Sequence, residues 1–303
     1  MSTKQAEILS TIHQIAETIE GVVGVAAWQV AENSKVEPVS LKADQWYPTA
    51  STIKVPVLYE LYRQAEAGLI DLNQRVIVRE QDFVPGSGIL QDMALALNPT
   101  VRDLAVLMTV VSDNTATDML LERLGRAQVE KTMQELGLTQ TRANLSLRQM
   151  LYSLAGLDVN NPAHTYQLCR ARFQDPTYKT DPACQALGES DNDLSSPNDL
   201  AHLLSLIARH QTLSQKSCED MLDILSRQKY NQIIPLHLPS YLKIAHKTGS
   251  INGVRNDVGL VCAPNGPYVL ALMTRQLKDE VAACEKLARI SEAVYQYFTE
   301  ADA

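Results

Sequence analysis

LKIAHKTGSINGVRNDVGLVCAPNGPYVLALMT, residues 242–274, decides the fold. Three runs in it read as strands: Leu242 to Lys247, Val254 to Cys262 and Tyr268 to Thr274 alternate or are rich in β-branched residues. Asn265-Gly266, between the last two, is a hairpin signal, because a tight turn needs left-handed backbone that Asn and Gly adopt readily. A closing helix is expected over roughly Glu280 to Phe298. The matching strand signal lies at the opposite end of the chain. Val22 to Val30 is rich in Val and Ala, with a turn around Asn33–Ser34. It follows a helix on which Ile8, Ile12, Ile15 and Ile19 recur at helical spacing.

Between these ends the apolar spacing is mainly helical. A helix is expected from about Ser51 to Ala67, with Gly68 where a C′ glycine belongs. Pro56 falls near its first turn, where a missing N–H costs little. Val84 to Gly88 reads as a loop, and Thr100 to Gly137 as helices broken at Ser112–Asn114 and at Gly125. Residues 139–197 are the least regular part, punctuated by Asn161-Pro162, Asp175-Pro176, Asp181-Pro182 and the stretch from Gly188 to Pro197. Helical periodicity resumes from Asn198 to about Gln228. The expected fold is α/β, an α+β sandwich: one antiparallel sheet built from both chain ends and flanked by helices, with an all-α lobe inserted. Residues 1–303 would form a single catalytic domain, its sheet lobe about 1–50 and 200–303 and its helical lobe about 51–199. A ligand site is expected in a cleft between lobes.

Composition narrows the function classes. Hydrophobic residues make up 45% of the 303 and charged ones 20%, which suits a folded chain with a core large enough to need neither metal nor disulfide. The net charge of −8, with no Lys/Arg run, argues against a nucleic-acid partner. No stretch approaches the ~18 apolar residues of a membrane span. The first twenty residues lack the basic start and apolar core of a signal peptide. The expectation is therefore a cytoplasmic protein, or a secreted or periplasmic one whose leader has been removed. The odd count of cysteines, Cys169, Cys184, Cys218, Cys262 and Cys284, with no C-x-x-C, argues against a disulfide framework or a zinc site. Five reduced thiols are expected, with a Cys169–Cys184 bridge as the alternative. The six histidines form no metal-binding pattern, and neither metal nor cofactor is expected.

Three motifs carry the chemistry. Ser51-Thr52-Ile53-Lys54 is S-x-x-K at a helix start, Ser112-Asp113-Asn114 lies at a helix–helix junction, and Lys247-Thr248-Gly249 ends a strand. Singly they are weak: S-x-x-K also occurs at Ser226–Lys229 and Ser240–Lys243, and S-D-N is ordinary capping chemistry. Their joint order and context are specific. Residues 47–54, from Tyr47 to Lys54, resemble the nucleophile helix of class A β-lactamases, residues 109–116 their middle motif and His246 to Ser250 their third. Leu194-Ser195-Ser196-Pro197 resembles the point where their Ω-loop re-enters a helix. The resemblance covers nearly the whole chain and implies a β-lactamase/transpeptidase-like fold.

The residues suit that chemistry. A serine hydroxyl needs a neighbour to take its proton, and Lys54, one turn after Ser51, can reach it if burial and cations such as Lys247 keep it neutral. The resemblance implies that Ser112 relays a proton to the leaving nitrogen and that Asn114 orders Lys54 and the substrate's amide side chain. Lys247 and Thr248 suit a substrate carboxylate, with Arg255 as a possible second cation on the adjoining strand. The backbone N–H groups of Ser51 and Ser250 would form the oxyanion hole. One departure stands out. Class A enzymes carry an Ω-loop glutamate, two positions after an arginine, that activates the deacylating water. Aligning Arg148 with that arginine pairs it with Asp193 across the loop base and puts Met150 at the glutamate position. Between 141 and 195 the one glutamate is Glu189, too near Ser195 for the family spacing.

The leading expectation is a monomeric serine hydrolase that opens β-lactams, or peptidoglycan-like peptides, through a Ser51 acyl-enzyme with slow deacylation. The alternatives are a D-Ala-D-Ala peptidase-like or esterase activity, and a β-lactam-binding sensor that acylates without turning over.

Overall fold

The computed structural model describes residues 3–31 and 33–300. The chain divides into two compact units, one of Met1–Thr52, Leu138–Thr141 and Ser195–Ala303, the other of Ile53–Gly137 and Arg142–Leu194.

The first unit is built on a five-stranded antiparallel sheet of order β2-β1-β7-β6-β5. It joins β1 (Val22–Gln29) and β2 (Val39–Leu41) from the N-terminal end to β5 (Ile244–Ile251), β6 (Val254–Ala263) and β7 (Gly266–Arg275) from the C-terminal end. The register is set by the β1–β7 pairing, with Val25 opposite Leu272 and Ala27 opposite Leu270. Those four side chains share one sheet face and pack with Ile8 and Ile12 of α1 (Thr3–Glu17) and Val294 and Phe298 of α10 (Glu280–Glu300). The residues alternating with them, Ala26, Ala271 and Met273, point to the other face and are equally buried, and α8 (Pro197–Ala208) packs against β1, β6 and β7. Helices on both faces explain why these strands read as continuous apolar runs rather than a clean alternation. Two two-residue strands, β3 (Tyr47–Pro48) and β4 (Leu194–Ser195), and α9 (Gln215–Ser226) complete the named elements.

The second unit is helical. Its centre is α2 (Lys54–Glu66), packed against α3 (Val101–Val110), α4 (Asn114–Leu124) and α5 (Arg126–Glu135). Pro56 is the third residue of α2, where its absent N–H would have had no intrahelical acceptor. Gly68, at φ +71°, ends the helix in the left-handed conformation open to glycine. The expected breaks at Ser112–Asn114 and Gly125 separate α3, α4 and α5. Two helices were not foreseen in the irregular stretch: α6 (Leu147–Leu154) and α7 (Tyr166–Gln174). Each opens on a capping hydroxyl, Ser146 accepting from Gln149 N–H and Thr165 from Leu168 N–H, which is a usable N-terminus signal. No helix among the described residues is long and apolar enough to cross a membrane. Cys169 and Cys184 are both thiols.

Candidate active site

In the sheet unit, Ser51 lies in a 3-10 turn, Ala50–Ile53, that leads directly into α2. Ala50 takes a left-handed φ of +47°, uncommon for a residue with a Cβ and found where surrounding structure over-determines the backbone. Asn256, fully buried on β6, fixes this turn from below. Its Nδ2 donates to Pro48 O at 2.8 Å and Thr49 O at 3.2 Å, while its Oδ1 accepts Thr274 N–H at 2.8 Å.

The K-T-G strand is brought against the same turn by a missing side chain. A Cβ on Gly249 would lie 2.6 Å from Thr49 O and 3.1 Å from Ser51 N, so any larger residue would push strand and turn apart. The strand's hydrogen bonding then sets what it presents. Cys262 N–H donates to Lys243 O at 3.0 Å. That makes the odd-numbered residues of β5 the hydrogen-bonded partners of β6, and leaves the N–H groups of the even-numbered ones, Ser250 included, pointing out of the open sheet edge. Lys247 lies on the Gly249 side of the strand and is completely buried, its Nζ donating to Thr248 O at 2.8 Å. Burial pulls its pKa down to about 7, only partly opposed by the charge of Asp257. Asp257 is itself held by His246 at 2.8 Å and by Ile234 N–H at 3.0 Å.

In the helical unit, the first residue of α2 is Lys54, and it is buried. Its Nζ lies 2.8 Å from Ser112 O, 2.8 Å from Asn114 Oδ1 and 3.0 Å from Ser112 Oγ. The first two are oxygens that can only accept, whereas a hydroxyl can accept or donate. Lys54 Nζ can thus donate to all three oxygens, and the cage fixes the direction of the amine. Ser112 reaches the lysine from a left-handed backbone, φ +54°. Asp113 stabilises that turn, capping α4 through Ala116 N–H at 2.9 Å and accepting Ile89 N–H at 2.7 Å and Leu90 N–H at 2.9 Å. The two rival S-x-x-K sequences have no such setting. Ser226 ends α9 with its hydroxyl on Asp223 O at 2.8 Å, and both Lys229 and Lys243 are exposed.

Two expectations are corrected. Arg148 does not pair with Asp193. Its guanidinium donates to the carbonyls of Gln81 (2.5 Å) and Phe83 (3.1 Å), and its backbone N–H, with that of Leu147, caps α6 on the Asp118 carboxylate. Asp193 instead accepts Leu145 N–H at 2.8 Å, and burial raises its pKa to about 7. The spacing argument missed this because α6 turns the arginine toward the 81–83 loop. Arg255 is likewise engaged: its guanidinium donates to Ile251 O at 2.8 Å, to Val254 O at 2.7 Å and to the Glu280 carboxylate. It clamps the β5–β6 hairpin to the start of α10, which removes it as a second carboxylate-binding cation. Met150 is buried inside α6, while Glu189 is exposed. Sequence reasoning also missed Asn256, although a polar residue in the apolar run Val254 to Cys262 was a signal that a buried partner awaits it.

Comparison with known proteins finds β-lactamases. A profile of the β-lactamase enzyme family, Beta-lactamase2, matches residues 7–298. The β-lactamase ROB-1 of Haemophilus influenzae is 25% identical over 301 residues, covering 98% of this chain and 85% of that one. Among solved structures, a β-lactamase from Sphaerobacter thermophilus is 26% identical with a TM-score of 0.80, covering 97% of this chain and 98% of its own. A mutant of PBP-A, solved as an acyl-enzyme complex with penicillin G, is 28% identical with a TM-score of 0.78, covering 97% of each chain. With the profile spanning nearly the whole sequence, the chain belongs to the β-lactamase enzyme family and is a hydrolase of that kind.

Proposed function

We propose that the protein opens β-lactam amide bonds through an acyl-enzyme on Ser51 and releases the product slowly. The carrying observation is the Lys54 cage, in which an amine one turn after Ser51 meets the hydroxyl of Ser112 at 3.0 Å and the amide oxygen of Asn114 at 2.8 Å. Ser51 Oγ attacks the lactam carbonyl carbon while its proton passes to Lys54 Nζ. The C–N bond then breaks, and the nitrogen takes the hydroxyl proton of Ser112, which Lys54 replaces. The oxyanion is received by the backbone N–H groups of Ser51 and Ser250. Lys247 and the Thr248 hydroxyl bind the substrate carboxylate, and Asn114 takes its amide side chain.

Slow release follows from the hydrolytic half. In this proposal Met150 stands where the family carries its Ω-loop glutamate; a thioether cannot take a proton from water, and losing a general base lowers a rate by about 10²–10⁴-fold. PBP-A, a similar protein, has been trapped in mutant form as a penicillin G acyl-enzyme.

Intact-mass measurement after mixing with benzylpenicillin tests this. The expected result is one stoichiometric adduct that maps to Ser51, persists, and is absent from Ser51→Ala. An adduct on Ser226 or Ser240, or no adduct at all, would overturn the assignment. Fast turnover without accumulation, lost in Glu189→Gln, would show that a carboxylate of the long loop completes a conventional β-lactamase.

A further inference from the structure

The long segment after α6 reaches back to the S-D-N motif. Its anchoring comes first. The last carbonyls of a helix lack intrahelical donors, and here Leu154 O is taken by Tyr178 Oη at 3.0 Å and O of the following Ala155 by Arg172 Nη1 at 3.0 Å, while the Cys169 thiol, at 3.8 Å, joins Ala155 N–H on Leu151 O. This docks α7 on the end of α6. The N-terminal turn of α7 then meets the 3-10 turn Leu90–Asp92. Tyr166 Oη donates to Gln91 Oε1 at 2.9 Å, and the Tyr166 ring lies 6.2 Å from that of Phe83. Arg170 steadies both sides, donating to Tyr166 Oη at 3.1 Å and to Asp92 at 3.2 Å.

Gln91 passes the contact on. Its Nε2 donates to Gly86 O at 2.8 Å. Gly86, at φ +92°, sits so close to the motif that a Cβ there would lie 2.8 Å from Asn114 Nδ2. The adjoining loop groups hold Asn114 directly: Pro85 O accepts its Nδ2 at 2.9 Å, and Ser87 O accepts its backbone N–H at 3.0 Å. Asn114 Oδ1 in turn accepts Lys54 Nζ at 2.8 Å. Hydrogen bonds joined by the short backbone stretch 85–87 therefore lead from α7 to the lysine cage.

We infer that Gln91 and Tyr166 are positioning residues, through which α7 fixes the 85–87 loop and so the orientation of the Asn114 amide. The inference rests on the reading above, in which Asn114 receives the acylamide side chain of a β-lactam. Neither Gln91 nor Tyr166 touches substrate. Losing either should loosen Asn114 and impair substrates that use its amide, while sparing those that do not.

The test compares Gln91→Ala, Gln91→Glu and Tyr166→Phe with a control, Tyr178→Phe, which loses a hydrogen bond of the same segment away from Gln91. Acylation is measured with benzylpenicillin, which carries an acylamide, and with 6-aminopenicillanic acid, which carries a free amine instead. In parallel, hydrogen exchange of the Asn114 N–H reports on the loop without any substrate. Both Gln91 variants and Tyr166→Phe should lower kcat/KM for benzylpenicillin by about two- to tenfold, the range of one neutral hydrogen bond. The other substrate should be unaffected, Asn114 exchange should quicken by a similar factor, and Tyr178→Phe should change neither. Gln91→Glu keeps the acceptor for Tyr166 and loses the donor to Gly86, so it should match Gln91→Ala. An equal loss for both substrates, unchanged exchange, or the same response in Tyr178→Phe would overturn the inference. Quicker exchange in a protein whose wild type neither penicillin acylates would uphold the brace and sink the Ser51 reading instead.

Discussion

Lys54 and Lys247 are both buried lysines, each in one of the three motifs, yet their surroundings handle the amine differently. Around Lys54 the S-D-N turn supplies oxygen acceptors at 2.8–3.0 Å, from Ser112 and Asn114. Around Lys247 burial dominates: Asp257 opposes it only in part, and the pKa falls to about 7. The first arrangement fixes where the amine points. In the second, burial weighs against the charged form, and a carboxylate placed beside Lys247 would favour it. In the proposed mechanism the first lysine would serve proton transfer and the second substrate binding.

The largest effect should come from Lys54→Met, which removes the proton acceptor and leaves the oxygens of Ser112 and Asn114 without its N–H groups. Acylation by benzylpenicillin, followed by stopped-flow, should slow by about 10²–10⁴-fold. If KM rose instead at constant kcat, Lys54 would be a binding cation and the contrast would collapse.

Lys247→Ala should act on the other parameter. A charge-assisted contact contributes roughly 1.5–3 kcal/mol, so kcat/KM for a carboxylate-bearing substrate should fall about 10- to 100-fold, mostly through KM. Steady-state kinetics with a neutral ester should show little change. A clear preference of the wild type for the ester would favour the esterase alternative.

The smallest effect is the sharpest, because it reads one proton. With a pKa of about 7, Lys247 loses its charge as pH rises, so KM for an anionic substrate should increase about tenfold between pH 6 and pH 8. The linkage has a definite sign. The folded pKa of about 7 lies below the ordinary 10.5, so between those values the unfolded chain binds more protons and this lysine's penalty on stability shrinks as pH rises. Lys247→Met should therefore raise Tm most at or below pH 7, with the advantage fading toward pH 10. A pH-independent difference in Tm would mean that Lys247 stays charged in the folded protein.

The legible part of this protein was local. The strand runs at both ends, the breaks at Ser112–Asn114 and Gly125, and the glycine stop at Gly68 all appear where backbone preference and apolar spacing placed them. The true S-x-x-K could be told from its two rivals only by motif order; the structure adds burial, since Lys54 is enclosed while Lys229 and Lys243 are exposed. The stretch from 139 to 197 was not legible, because α6 and α7 are short and owe their stability to docking: their capping hydroxyls are local, but the donors that close the end of α6 come from as far away as Tyr178.

By itself, the sequence determined the element types, the antiparallel sheet shared by both chain ends and the three motifs, since each depends on residues close together in the chain. Tertiary structure decided the partners of long polar side chains. Arg148 went to the carbonyls of Gln81 and Phe83 rather than to Asp193, and Arg255 to Glu280 rather than toward a substrate. A guanidinium takes whichever acceptors packing brings within reach, and no spacing in the chain encodes that. It also decided that position 249 must be glycine, because the obstruction there is Thr49 O, some two hundred residues away and 2.6 Å from where a Cβ would sit.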